Sequence, residues 1–184
     1  MDYTETTLRS EEVYAGKILR VRRDAVRLPD GAEALREVVE HSGGVGVIPV
    51  DENGDVYCVR QFRYPYGAHL LEIPAGKLEP GEAPLDCAVR ELGEETGFTA
   101  ARFTDLGRLY PSPGYCRETL YLYMATGLTR GEAHLDQGEF LDVEKHSLDE
   151  LYGMVMRNEI PDAKSAMAVI KAKLLLDSSS AKGE

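Results

Sequence analysis

The 184-residue sequence lacks any apolar stretch near the ~20 residues that a membrane-spanning helix requires, so no membrane helix is expected. Its first residues, MDYTETTLRSEE, contain no apolar core, so a secretory signal is not expected either. Cysteine is scarce: Cys58, Cys87 and Cys116 stand far apart, form no CxxC pair and cannot all be paired within one chain. Reduced thiols and a cytoplasmic location are therefore expected.

Basic residues are also in the minority, with 21 Lys and Arg against 32 Asp and Glu and a net charge of −11. This balance argues against a nucleic-acid polymer as partner, because such binding depends on Lys and Arg side chains that neutralise phosphates. A small anionic substrate remains compatible if cations carry its charge. The length corresponds to about one domain, large enough to bury a core without a disulfide framework.

The first part of the chain predicts an N-terminal β-strand subdomain at residues 1–42, with a turn at Leu28–Gly31. Three short strands are barely stable alone, so they are expected to pack on the main domain or on a partner chain. Residues 43–177 are predicted to form the main domain, beginning with a hairpin of strands 45–50 and 56–63 around Asn53-Gly54. Residues 178–184 are expected to form a flexible tail.

The sequence of the rest of the main domain predicts strands and helices without a regular βαβ alternation. The predicted strands are 70–73, 118–125 and 140–143, and the predicted helices are 82–96, one beginning after Ser147, and 162–176. This mixture predicts an α+β fold with a mixed sheet and helices packed on it.

The predicted helix Glu82–Thr96 carries the strongest chemical signal. Its predicted apolar face recurs at i, i+3, i+4 and i+7: Leu85, Ala88, Val89 and Leu92. At 100° per residue, Glu91, Glu94 and Glu95 fall together on an arc away from that face. Three like charges near a helix C-terminus repel one another and oppose the macrodipole. Two interpretations follow: a hard divalent cation such as Mg²⁺ or Mn²⁺, or a solvated acidic face in which Arg90 pairs with Glu94.

The segment around this helix resembles the signature box of the Nudix hydrolases, G-x5-E-x7-R-E-U-x-E-E-x-G-U, where U is apolar. Every defined position is met, by Gly76, Glu82, Arg90, Glu91, Leu92, Glu94, Glu95, Gly97 and Phe98. The resemblance implies a Nudix fold, in which a mixed β-sheet is sandwiched between helices and the box forms a loop, a helix and a loop. It also implies hydrolysis of a nucleoside diphosphate linked to another group.

The resemblance also implies roles for individual box residues. Glu91 and Glu95 would ligate the metal, Glu94 would assist, and the backbone carbonyl of Ala75 would complete the site. Arg90 would orient a neighbouring glutamate. Mg²⁺ or Mn²⁺ on the diphosphate would neutralise charge, orient the attacking water and lower its pKa, so an acidic protein can still act on an anionic substrate.

Shorter motifs extend the resemblance over nearly the whole chain, to the ADP-ribose pyrophosphatase branch of the family. They are Arg36–His41, Arg60–Arg63, Leu71–Gly76, Pro113 standing 16 residues after Gly97, and Glu118. In that branch the N-terminal strands exchange between two subunits and the substrate lies at their interface. The resemblance therefore implies a homodimer.

The same motifs supply six candidates for substrate binding: Arg36, Glu37, Arg63, Glu72, Gly114 and Glu118. By resemblance, Arg36 and Glu37 would contact the adenine end and Arg63 the diphosphate. Arginine offers a planar fork for phosphate or a face for ring stacking. The alternative is that both arginines are solvated residues of surface strands.

The general base is sought in the loop Asp136–Phe140. Some relatives carry two acidic residues there, and Gln137 occupies one of these places but cannot usefully accept a proton. Glu139 is therefore predicted to be the base or an additional metal ligand. The alternative is that Glu139 is an exposed loop charge.

These features predict Mg²⁺-dependent hydrolysis of ADP-ribose to AMP and ribose 5-phosphate. One alternative is the same chemistry on another nucleoside diphosphate sugar, such as ADP-glucose or GDP-mannose, because the box contacts only the diphosphate. A second alternative is a non-catalytic module that senses ADP-ribose. That alternative predicts the loss of the metal glutamates, whereas Glu91, Glu94 and Glu95 are all present.

Overall fold

A computed structural model of the chain describes residues 2–180 and the side chains of residues 2–178. The contacts separate into two compact units. The first contains the residues up to Gly43 together with Tyr110–Thr119, and the second contains Gly44–Leu109 and the residues from Leu120 onward.

The first unit is a small antiparallel sheet. Its strands are β1 (Thr6–Ala15), β2 (Leu19–Arg27) and β3 (Glu33–His41), in the order β1-β2-β3. The segment Tyr110–Thr119 binds the free edge of β3: Val39 donates its amide to the carbonyl of Tyr115 at 2.8 Å, and its carbonyl accepts the amide of Arg117 at 2.8 Å. The predicted N-terminal antiparallel sheet is confirmed, and the sequence did not indicate this added segment.

The second unit holds the remaining elements. They are β4 (Gly44–Pro49), β5 (Asp55–Arg63), a 3₁₀ turn (Tyr64–Tyr66), β6 (Ala68–Glu72), β7 (Ala75–Lys77), α1 (Pro84–Thr96), β8 (Phe98–Leu109), β9 (Leu120–Arg130), β10 (Leu141–Ser147), α2 (Leu148–Met156) and α3 (Ala163–Ser180). Four strands form a mixed sheet in the order β7-β4-β9-β8, with β4 parallel to β9. Three others form an antiparallel sheet in the order β10-β5-β6.

The buried strand β4 places the mixed sheet between helices. All six of its residues are buried, and its side chains alternate between the two faces. Val45 and Val47 pack in a cluster with Leu92 of α1. Ile48 packs in the other cluster, with Leu151 of α2 and Val169 of α3. The predicted α+β class, with a mixed sheet sandwiched between helices, is confirmed.

The predicted hairpin of β4 and β5 is wrong. A tight turn does form, with the amide of Gly54 donating to the carbonyl of Asp51 at 3.1 Å. Beyond the single bridge between Val50 and Val56, however, the two strands enter different sheets. The reason is burial: β4 is apolar on both faces, so it pairs inside the mixed sheet rather than with its neighbour in sequence.

Other boundaries also differ from those expected. Strand β8 was not predicted, because a bulge between Asp105 and Gly107 interrupts its alternation. Helix α2 begins as expected, and Ser147 caps it by accepting the amide of Glu150 at 3.1 Å. Residues 178–180, expected in a flexible tail, continue α3, while residues 181–184 lie outside the described part of the chain. Within the described part, no helix is long and apolar enough to cross a membrane.

Candidate functional site

Helix α1 turns two carboxylates towards the protein interior. Glu91 is 8% exposed and Glu95 is 4% exposed, whereas Leu85 and Val89, expected on the apolar face, are 46% and 48% exposed. The predicted orientation of the helix is therefore wrong in part, although Ala88 and Leu92 of that face are buried. Burying a carboxylate is costly unless it is paired or binds a metal, so stability alone does not explain this arrangement.

Glu95 is the more strongly perturbed of the two carboxylates. Its pKa is raised to about 8, chiefly by burial and also by the negative charges of Glu91 and Glu139, against the hydrogen bond from Ala75. That hydrogen bond joins the Ala75 amide to Oε2 of Glu95 at 3.0 Å and so ties β7 to α1. The site therefore contains a carboxyl group whose negative charge is poorly compensated.

Glu91 lies against β7, the strand that precedes the helix. Burial raises its pKa, and the adjacent Arg90 opposes this by donating to Oε1 at 2.8 Å. A methyl group built at Gly76 would overlap the Glu91 carboxylate. The glycine of the box is therefore required because the side chain of Glu91 occupies the space beside its Cα.

Arg90 organises the carboxylates around it. Its guanidinium donates to Oε1 and Oε2 of Glu82 at 2.9 and 3.0 Å, to Glu94 at 2.9 Å, and to the carbonyl of Lys77 at 3.2 Å. The hydrogen bonds from Arg90 lower the pKa of Glu82 to about 2. These hydrogen bonds tie Lys77 and Glu82, which precede the helix, to α1. Arg90 also fixes the side chains of Glu91 and Glu94.

Glu139 is on the loop between β9 and β10. Its negative charge raises the pKa of both Glu91 and Glu95, so its carboxylate is within electrostatic reach of theirs. The loop is attached to the end of α1, where His134 donates its amide to the carbonyl of Glu94 at 3.0 Å. Glu139 itself is half-buried.

A buried charge network lies beside these carboxylates. Arg63 donates from Nε and Nη2 to the two oxygens of Glu72 at 2.6 and 2.7 Å, and Lys164 also binds Glu72. Burial would raise the pKa of Glu72, but Arg63 and Lys164 outweigh it and hold that pKa below its usual value. Glu72, expected among the substrate contacts, is thus buried and occupied on both oxygens by protein groups. Arg63 is within electrostatic reach of Glu95.

Lys164 and its second partner, Asp162, were not found from the sequence. Asp162 caps α3 by accepting the Ser165 amide at 3.0 Å, and it accepts from Lys164 at 3.0 Å. An Asp before a helix indicates a cap. Nothing in the sequence indicates that the lysine two residues later binds Glu72, 92 residues away.

The remaining candidates lie in the first unit. Arg36 on β3 donates to Glu5 at 2.9 Å, and the neighbouring Glu37 is exposed. Gly114 is in the turn of the segment bound to β3 and has open space beside its Cα. Glu118, in the same segment, lies 3.3 Å from Nδ1 of His41. Pairing of this segment with β3 thus gathers the four residues in one unit.

Within the described residues, no group of three or more His, Cys, Asp or Glu side chains is already arranged to hold a metal ion. The donor chemistry of the α1 carboxylates nevertheless suits a hard cation. Glu91 and Glu95 offer only oxygen atoms, both are buried, and within the same residues Glu95 forms no ion pair with a Lys or Arg. A divalent cation would compensate this buried negative charge.

Comparison with known proteins agrees with this arrangement. The family model of the NUDIX domain matches residues 40–169, and that of the nucleoside diphosphate sugar hydrolase N-terminal domain matches residues 5–39. The chain is 39% identical over 167 residues to an ADP-ribose pyrophosphatase of Bacillus subtilis, covering 90% of each chain. It is 38% identical over 169 residues to a methanol dehydrogenase activator of Bacillus methanolicus, covering 91% of each.

A structural comparison extends this to the fold. The crystal structure of an ADP compounds hydrolase superposes with a TM-score of 0.84 at 22% identity, covering 95% of each chain. At this identity the likeness concerns the fold alone, and it confirms the Nudix fold that the box implied. The extent of the family match and the similarity to relatives over nine-tenths of the chain establish that this protein belongs to the Nudix hydrolase family.

Proposed function

We propose that this chain hydrolyses the diphosphate bond of ADP-ribose, giving AMP and ribose 5-phosphate, with Mg²⁺ or Mn²⁺ as cofactor. The observation that carries the proposal is the pair of buried carboxylates, Glu91 and Glu95, beside the half-buried arginine Arg63. A relative named for ADP-ribose pyrophosphatase activity, similar over nine-tenths of both chains, supports the choice of substrate.

The box residues would hold the cofactor. Glu91 and Glu95 would be its ligands, with Glu94 and the carbonyl of Ala75 assisting. A bound divalent ion supplies neutralisation of the diphosphate charge and a lowered pKa for a water molecule. Arg90 keeps two of the glutamates in place through the hydrogen bonds described above.

Other residues of the same unit would handle the substrate. Arg63 would bind a phosphate oxygen through Nη1, the guanidinium nitrogen that Glu72 does not engage. Water would attack one phosphorus, the bond from that phosphorus to the bridging oxygen would break, and the bridging oxygen would leave with the second phosphate. Glu139 would accept the proton of the water.

Four residues of the first unit are the remaining candidates for substrate binding. Arg36 and Glu37 would contact the adenine end, and Gly114 and Glu118 are candidates without an assigned part of the substrate. A homodimer with exchanged N-terminal strands stays a prediction, supported by the exposure of every residue of β1. A cytoplasmic location also stays a prediction, supported by the free thiols of Cys58, Cys87 and Cys116.

Another nucleoside diphosphate sugar is the second candidate substrate. The observation in its favour is that the N-terminal residues 5–39 match a family described for nucleoside diphosphate sugar hydrolases in general. ADP-glucose and GDP-mannose share the diphosphate that Glu91, Glu95 and Arg63 would contact, and they differ in the base or the sugar.

A substrate panel tests the proposal. Purified protein with Mg²⁺ is given ADP-ribose, ADP-glucose, GDP-mannose, NADH and diadenosine polyphosphates, and released AMP or GMP is measured. We expect selective release of AMP and ribose 5-phosphate from ADP-ribose. Preference for another sugar would favour the second candidate, and tight ADP-ribose binding without turnover would favour a sensor.

Replacement of Gly76 by Ala is expected to lower kcat/KM by about 10- to 100-fold, as expected when a catalytic group is misplaced by an ångström or so. The added methyl group would push the Glu91 carboxylate aside. Since only the end of a flexible side chain must move, the melting temperature should change little. Kinetic assay at several Mg²⁺ concentrations, together with thermal unfolding, checks both expectations.

The matched control for this variant is Gly93→Ala. Gly93 is on α1, and a methyl group there meets nothing nearer than the carbonyl of Phe98 at 3.9 Å. That variant should retain activity. Full activity of Gly76→Ala would mean that the position of Glu91 seen here is not the one used in catalysis.

A further inference from the structure

The carboxylate of Glu72 is fully engaged inside the protein. Its side chain is 1% exposed, and its two oxygens each accept from Arg63, on Nε and Nη2. This two-point hydrogen bond fixes the plane of the guanidinium, which a single contact would leave free to rotate. Arg63 is the last residue of β5, and its long side chain is 37% exposed.

A second layer of charge holds Glu72 itself. Lys164 is 8% exposed and binds Oε2 of Glu72, while Asp162 accepts from the same ammonium group at 3.0 Å. The four charges of Arg63, Lys164, Glu72 and Asp162 sum to zero. The start of α3 therefore supplies both a cation for Glu72 and an anion that balances it.

Attachment of α3 to the sheet does not require this network. The hydroxyl of Ser165 accepts the amide of Ile73 at 2.9 Å, and Asp162 caps the helix independently of Glu72. Buried ion pairs are in addition a weak source of stability, because desolvation offsets their attraction. The effect specific to the network is on its most exposed member, Arg63, whose side chain is 37% exposed against 19% for Asp162.

We propose that Glu72 and Lys164 are positioning residues that fix the direction of Arg63. With Nε and Nη2 bound to Glu72, Nη1 is the group left to bind an anion, and its direction is set by the buried carboxylate. This inference rests on the proposed function, in which that anion is the diphosphate of the substrate. Lys164 acts one step further away, by holding Glu72.

A double-mutant cycle tests this assignment. Arg63→Ala is expected to raise KM for ADP-ribose about tenfold, and Glu72→Gln nearly as much, because an amide offers one acceptor oxygen and cannot hold both donors. Since both variants impair the same contact, the doubly substituted protein should be no worse than Arg63→Ala alone. Lys164→Met should raise KM by a smaller factor in the wild-type background and by none with Arg63→Ala.

Two further variants separate positioning from loss of fold. Glu72→Gln combined with Lys164→Met keeps the net charge of the buried network at zero, so it should fold while still raising KM. Lys173→Met removes a half-buried lysine of the same helix that pairs with Asp149 and Asp177 rather than with Glu72, and it should leave KM unchanged. Thermal unfolding of each variant shows whether KM and stability change together.

The outcomes distinguish this inference from the proposed function. Independent effects of Arg63→Ala and Glu72→Gln, whose factors multiply in the double variant, would overturn the positioning role while leaving hydrolysis established. An unchanged KM in Arg63→Ala would also overturn the positioning role and leave hydrolysis established. A wild-type protein that turns over no nucleoside diphosphate sugar would overturn the proposed function, and this inference with it.

Discussion

Replacement of Glu95 by Gln should lower kcat on the order of 10³-fold, because the loss of ~4 kcal/mol of charge stabilisation in the transition state corresponds to that factor. Glu95 is the most deeply buried carboxylate of the box helix and the one whose pKa is raised furthest, to about 8. As a neutral amide it would be a poor ligand for Mg²⁺. The measurement is kcat for ADP-ribose over a wide range of Mg²⁺ concentrations.

The fold should survive this substitution. The amide oxygen of Gln can still accept the Ala75 amide, and the folded protein no longer buries an ionisable carboxyl group. Because the pKa of Glu95 is raised by folding, the protonated form favours the folded state. Without metal, wild-type stability should therefore fall as pH rises from ~4.5 to ~8, and the Gln variant should lack this part of the dependence.

Two comparisons make the experiment decisive. Asp86→Asn removes one charge from an exposed position of the same helix and should keep wild-type activity. Addition of Mg²⁺ should raise the melting temperature of the wild type but not of Glu95→Gln, because a ligand stabilises only the state that binds it. A Glu95→Gln enzyme with the wild-type rate would show that Glu95 is not a metal ligand.

The sequence predicts elements well where a local cause determines them. Ser147 caps α2, and Gly97 ends α1 in the left-handed conformation with φ of 73°, as capping preferences indicate. The predicted pairing of β4 with β5 was wrong, because an Asn-Gly turn fixes the reversal of the chain but not the partner of each strand. The partners of β4 are β7 and β9, and β9 lies more than 70 residues later. The burial of both faces of β4 accounts for its place inside this sheet.

In the candidate site, too, the local motif was predicted correctly and the burial of its side chains was not. Pattern matching found Glu91 and Glu95, yet hydrophobic periodicity placed them on the exposed side of α1, because it assumes that apolar residues are buried and charged ones are not. The structure buries both carboxylates and exposes Leu85 and Val89 instead. Periodicity is therefore least reliable at the position where a site overrides the cost of burying charge.

The charge network behind Arg63 could not have been predicted. Its members come from β5, β6 and the start of α3, and the contact of Lys164 with Glu72 spans 92 residues. Sequence motifs gave Arg63 and Glu72 as two independent substrate contacts. The structure instead makes Glu72 a partner of Arg63, so the two residues should be tested together rather than singly.

Replacement of Glu139 by Gln should lower kcat by about 10²–10⁴-fold, the usual contribution of a general base. Glu139 is half-buried on a loop, and Gln keeps an oxygen that can accept the Asp136 amide, 3.4 Å away, so the substitution should change the melting temperature little. If Glu139 is the base, the Mg²⁺ concentration for half-maximal rate should stay the same, and the residual rate should rise with pH as hydroxide replaces the missing base. The measurement is kcat as a function of pH at saturating Mg²⁺.

The alternative role, as an additional metal ligand, gives a different result. The half-maximal Mg²⁺ concentration would then rise, and excess Mg²⁺ would restore much of the rate. Glu132→Gln, an exposed residue of the same loop, is the matched control and should be fully active. Combining Glu139→Gln with Gln137→Glu tests whether a carboxylate two residues earlier can reach the same water.

Wild-type kinetics for Glu139→Gln would leave Glu139 as a solvated loop charge, and the proton acceptor would then have to be sought among the buried carboxylates of α1.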